Sequence, residues 1–184
     1  MTLFLTLQKK DKKVIRSEKK LKELSALFST KNGIQISNAI RSLREELPFE
    51  GAIALLASHY DESNDKQVLS TIEDFFNDIK DLEARSAVIE EIRKPRKPAT
   101  TSMLVASCWQ SGLDYSDYLK DIANVFLTGD YPTSIECMTV ISESAPTCTR
   151  EARDEILKMI EESKAAMTHE KFSLTLELKT ILKS

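Results

Sequence analysis

Glycine and proline are scarce in this chain, four and five among 184 residues. That excludes a collagen-like or low-complexity polymer and leaves few interruptions for anything but helix. No run approaches the roughly 20 apolar residues that a membrane span needs; the longest clean one is residues 52–57. Met1–Leu7 is apolar but short, with no basic stretch before it and no small-residue cleavage site after it, so no signal peptide is expected. The three cysteines, Cys108, Cys137 and Cys148, are odd in number and lack paired spacing. They read as reduced thiols packed as small hydrophobes rather than as a disulfide framework. No Asn-x-Ser/Thr sequon occurs, and a cytoplasmic protein is the expectation.

Chemical motifs are equally sparse. His59 and His169 are the only histidines, and neither has a Cys or His at ligand spacing, so no metal site is expected. There is no glycine-rich phosphate loop, no G-x-S-x-G elbow and no H-E-x-x-H helix. Glu90-Glu91 and Glu161-Glu162 read as solvated helix faces. A Cys108–His59 nucleophilic pair is conceivable in principle, but core positions suit both residues better. The expectation is a protein with no catalytic residues, no cofactor and no metal.

What is present is an amphipathic pattern. Apolar side chains make up 41% of the chain and the net charge is only −3, enough core material to exclude general disorder. The length suits one fair-sized domain, expected over 14–184 behind an apolar and basic lead-in at 1–13. Apolar residues recur at threes and fours, as in Ile36/Ile40/Leu43/Leu47 and Val68/Ile72/Phe75/Phe76/Ile79. Gly33, Gly112 and Gly129 fall where such patterns stop, as left-handed helix caps do. Pro48, Pro98, Pro132 and Pro146 fall near where they start. The spacing predicts about ten helices: 14–28, 34–47, 49–61, 65–79, 82–94, 99–111, 115–127, 132–143, 148–163 and 168–182. Residues 172–178 alternate with period two, as do 3–7, but Ile181 and Leu182 extend a helical face and favour helix there. Short connections imply that sequential helices pack antiparallel.

The pattern also repeats. At an offset of 49 residues, Leu55, Ala57 and Ser58 meet Leu104, Ala106 and Ser107. Tyr60 meets Trp109, and Asp65 meets Asp114. One inserted residue then aligns Leu69, Ile72 and Phe76 with Leu119, Ile122 and Phe126, before Asp81 meets Asp130 and Ile92 meets Ile141. The segment Asp81-Leu-Glu-Ala-Arg85-Ser-Ala87-Val-Ile-Glu-Glu-Ile92 resembles the second helix of a HEAT unit, in the HEAT/armadillo group of helical repeats. The copy beginning at Asp130 keeps the Asp but carries Ser134 where the Arg belongs. The resemblance covers residues 34–163 and implies an all-α fold, a right-handed superhelical stack of antiparallel helices. It further implies that the Asp and Arg tie neighbouring units together and that an exposed concave face binds other macromolecules.

Charge is unevenly spread. Residues 9–22 carry a net +6, from Lys9, Lys10, Lys12, Lys13, Arg16, Lys19, Lys20 and Lys22 against two acids, while 61–91 carry −7. Arg93-Lys94-Pro95-Arg96-Lys97 forms a second basic knot. Basic segments bind phosphate backbones or simply face solvent. Lys9, Lys10, Lys12, Lys13, Arg16, Lys19 and Lys20 are therefore the candidate anion-binding set. Overall acidity and the lack of interleaved aromatics argue against a nucleic-acid binder; a helical-repeat DNA glycosylase is the enzyme alternative. The leading expectation is a non-enzymatic module binding another protein, with no membrane partner. Its candidate contacts are Trp109, Asp114 and Tyr115, because Trp and Tyr anchor interfaces. At Trp109 a buried, gap-filling role is the favoured competing reading.

Overall fold

A computed structural model describes residues 17–44, 48–163 and 169–183. It is all-α: helix takes up 77% of these residues, in ten α-helices with no strand among them. Among them, too, no helix is long and apolar enough to cross a membrane. The chain divides into two compact units, the first ending at Phe75 and the second beginning at Phe76.

The first unit contains α1 (residues 17–29), α2 (Gly33–Arg44), α3 (Ala52–Glu62) and most of α4 (Lys66–Asn77). Its core holds Leu24 and Phe28, Ile36 and Ile40, Ile53 and Leu56, Val68, Ile72 and Phe75; Ile36/Ile40 and Val68/Ile72/Phe75 belong to the faces that the spacing predicts. Gly33 is not a C-cap. It opens α2, and the left-handed residue ending the previous turn is Lys31, at φ 56°. Asn32 supplies the N-cap, its Oδ1 accepting from Gln35 N at 3.2 Å. A Cβ at 33 would lie 2.1 Å from Asp65 Oδ2, so glycine there lets the Asp65 carboxylate keep its place. Asp65 itself caps α4, accepting from Gln67 N at 2.9 Å and Val68 N at 3.3 Å.

The second unit contains α5 (Ala84–Ile92), α6 (Pro98–Gln110), a 3₁₀ turn (Ser116–Tyr118), α7 (Leu119–Thr128), α8 (Tyr131–Ser144), α9 (Arg150–Glu162) and α10 (Phe172–Lys183). α8 is its centre, packing against α6, α7 and α10. Ser134, Cys137 and Ile141, each fully buried, let the neighbours approach closely. Pro98 and Pro132 lie in the first turns of α6 and α8, as expected, and Gly112 leaves α6 at φ 70°. Residues 172–178 are helical, not strand.

Two expectations need correction here. The pattern starting at 115 opens with the 3₁₀ turn, because Asp114 Oδ1 takes the Ser116 N–H at 2.8 Å and α7 begins only at Leu119. Gly129 is extended, at φ −74° and ψ 174°, rather than left-handed. The carbonyls at the end of α7 are instead satisfied by a cation: Lys171 Nζ donates to Phe126 O at 2.8 Å and to Gly129 O at 2.5 Å. An ammonium at a helix C-terminus also complements the helix dipole.

Candidate functional site

Trp109, Cys108 and Asp114 are brought together at the C-terminal end of α6. There, with Val140, Glu143, Ser144 and Thr147 from the end of α8 and its following turn, they line a notch of about 230 Å³. α6 presents Trp109 half-buried. Its indole N–H is satisfied inside the unit, Nε1 donating to Glu136 Oε2 of α8 at 2.8 Å, which fixes the ring. Trp109 is therefore neither a wholly buried filler nor a free surface side chain. Asp114 is exposed, and the Ser116 N–H holds its carboxyl below the ordinary value of 3.8, so it is ionised at neutral pH. Thr147 Oγ1 lies 3.4 Å from its Oδ1. Glu143, also exposed, adds a second carboxylate to the rim.

Tyr115, the third candidate contact, lies in the core of the second unit. It is 1% exposed, among the largest fully buried side chains, and its hydroxyl sits with the Cys108 thiol and the Ser111 side chain. Burial pushes the Cys108 thiol up to about 12, and its Sγ donates to Leu104 O at 3.4 Å. A thiol held protonated in this way is a packing group, not a nucleophile. Cys137 and Cys148 are likewise free and buried, and burial raises both thiols.

No family model, curated protein or solved structure matches the chain. The site therefore has to be judged on its own geometry.

The basic features are mostly paired within the fold. Arg93 Nε and Nη2 hold both oxygens of Asp121, at 2.7 and 2.8 Å. Glu91, read from the sequence as a solvated acid, is 2% exposed and accepts from Lys94 and from Arg96, whose side chain is 8% exposed. The chain turns back through Pro95, which brings the knot onto the end of α5 and buries the carboxylate under its own neighbours. A cavity of about 450 Å³ beside this knot thus carries arginines already matched with acids. In α1, Lys19 lies 3.8 Å from Glu23, and Lys20 sits over the Phe49 ring. Lys9, Lys10, Lys12, Lys13 and Arg16 lie outside the described residues.

A cavity of about 590 Å³ lies in the first unit and includes Phe28, His59, Glu62 and Asp65. Two of its polar groups, His59 and Asp65, are committed to packing and capping. The His59 ring stacks on Phe28 with centroids 4.0 Å apart, and burial lowers its pKa. Asp65 caps α4 and abuts Gly33, as above. Among the described residues, no cluster of three His, Cys, Asp or Glu side chains is placed to hold a metal ion.

Glu143, Ser144 and Thr147 were not singled out from the sequence. They lie some thirty residues beyond Trp109 in a polar stretch, and nothing local marks them.

Proposed function

We propose that the chain is a non-enzymatic protein–protein interaction module built on HEAT-like repeats, its helices stacked antiparallel in a right-handed superhelix, with the Trp109 notch as a contact point. Residues paired by the repeat register hold the same structural posts, which supports the repeat. Asp65 and Asp114 each cap the helical turn that follows, through Gln67 N and Ser116 N. Asp81 and Asp130 do the same through Glu83 N and Thr133 N, both at 3.0 Å. Arg85 reaches from α5 to the carbonyl of Asp114, lies 3.8 Å from Asp117 and covers the Tyr118 ring. That matches the tying role which the HEAT resemblance implies for this Arg.

The observation that carries the interaction reading is Trp109 itself, the chain's only tryptophan. It keeps a part-exposed ring at a notch although its N–H is satisfied internally. Rigid, amphipathic aromatics in such a setting are the usual anchors of interfaces. The nucleic-acid alternative has less support, because the Arg93–Arg96 knot is matched by Asp121 and Glu91. Capture from a lysate of its own cells, comparing the wild type with Trp109→Ala, tests the proposal. A discrete partner lost from the variant, with helical circular dichroism retained, is the expected outcome. Identical capture by both proteins refutes it.

A further inference from the structure

We infer that the Trp109 notch receives an arginine side chain from an exposed basic segment of the partner protein; this rests on the interaction reading above. Volume comes first. At about 230 Å³ the notch lies below the range of about 300–1,000 Å³ typical of pockets for drug-sized ligands, so it fits one long side chain rather than a cofactor. Its charge is of one sign. Asp114 and Glu143 line it, and no cationic side chain does. Arg85, which also acts on Asp114, is engaged by the Asp114 carbonyl, by Asp117 and by the Tyr118 ring.

One wall is aromatic and held in place. With Nε1 fixed on Glu136, the indole offers a π surface, and the electron-rich face of Trp is the best side-chain platform for a cation. A hydroxyl on the notch wall completes the site. Ser144 is 7% exposed and lines the notch, and among the described residues its hydroxyl has no hydrogen-bond partner, although its carbonyl accepts from Thr147 Oγ1. An incoming N–H would satisfy it. Guanidinium meets all of these demands at once, because it is planar, always charged, stacks on aromatic rings and carries five donors in a fork.

The test is a titration of the full chain with N-acetyl-arginine methylamide, read by the fluorescence of Trp109. The citrulline and lysine counterparts serve as probes of shape without charge and of charge without the planar fork. The expected result is a saturable, salt-sensitive change with the arginine probe, a weaker response to lysine and none to citrulline. In Asp114→Asn/Glu143→Gln the arginine affinity should fall about fivefold or more. Asparagine retains an oxygen for the Ser116 N–H, and melting curves check the fold; Glu143→Gln alone, at an exposed position, serves if the double variant is unstable.

An equal response to citrulline, a lysine response as tight as that of arginine, an unchanged titration in the acid-neutralised protein, or no saturable response would each overturn the inference. Lysate capture separates this outcome from the failure of the broader reading. Capture that needs Trp109 but ignores the two acids sinks the arginine inference alone, whereas capture indifferent to Trp109 sinks both.

Discussion

Neutralising Glu91 without changing its shape is the most direct probe of how the second unit is held together. The Glu91 side chain is 3% exposed and accepts from two cations, Lys94 at 52% exposure and Arg96 at 8%. The Lys94 contact faces water and contributes at most about 1 kcal/mol. The Arg96 contact is different, because Glu91→Gln takes a charge away from beside a guanidinium that is out of water. Removing one partner of a buried pair costs about 3–5 kcal/mol. For a chain of this size each kcal/mol moves Tm by about 2–4 °C, so Glu91→Gln should melt about 6–20 °C lower.

A second variant tests the logic rather than the position. Glu91→Leu/Arg96→Met removes both charges and keeps apolar volume, and such replacements are often neutral or stabilising; it should melt well above Glu91→Gln. Urea unfolding followed by Trp109 fluorescence reads the same unit, since the only tryptophan lies in it, and circular dichroism supplies the global curve. A Glu91→Gln protein melting within about 2 °C of wild type, or a double variant no better than the single one, would refute the buried-pair argument. The basic knot would then again be available to anions.

Other expectations are quickly checked. Lys171→Met removes the ammonium from the Gly129 carbonyl and from the Phe126 carbonyl, which keeps Ser134 Oγ at 3.1 Å; this should cost about 1–3 kcal/mol and lower the thermal midpoint, and an unchanged midpoint would exclude its capping role. Thiol titration with an aromatic disulfide should be slow on the native protein and reach all three cysteines only in denaturant, because each is buried and its thiol pKa raised; fast labelling of Cys108 would contradict this. The Thr133 side chain and N–H hold the Asp130 carboxyl below 3.8. Its contribution to stability is therefore full above that pH and drains away as pH falls through the lower folded value. Asp130→Asn should flatten this part of the acid unfolding profile, and a profile identical to wild type would remove Asp130 from the account.

Helices were legible in the sequence because each buries one face, and periodicity reports a face directly. Their ends were less so. Gly33 looked like a cap because an apolar pattern stops there, yet what a Cβ there would meet is Asp65, thirty-two residues later in the chain. Glu91 looked solvated beside Glu90, and only the return of the chain through Pro95 places Arg96 over it. At the candidate site, Trp109 and Asp114 stood out as a lone aromatic and an acid flanking a helix-ending glycine. Tyr115 shared that local setting, but its burial depends on Cys108 and Ser111 one turn back along α6, which proximity in sequence does not reveal. Glu143, Ser144 and Thr147 had no signal because their role comes entirely from α8 packing on α6.

Arg85 and Ser134 lie 49 residues apart, and each meets nearby carbonyls in its own way. Arg85 projects a cation from α5 onto the carbonyl of Asp114, ahead of the 3₁₀ turn. Serine is too short to project in this manner. Ser134 Oγ instead turns back along its own turn, at 3.1 Å from Phe126 O and 2.8 Å from Asp130 O. The α7–α8 turn also presents carbonyls to a second donor. Lys171 is that donor, from the segment leading into α10, bonding the same Phe126 carbonyl and that of Gly129. A cation thus reaches turn carbonyls in both places, although its residue type and the segment it comes from differ. Sequence alignment scores the identity of Arg85 against Ser134 and finds a mismatch, whereas the folded chain has only to leave no buried carbonyl unpaired.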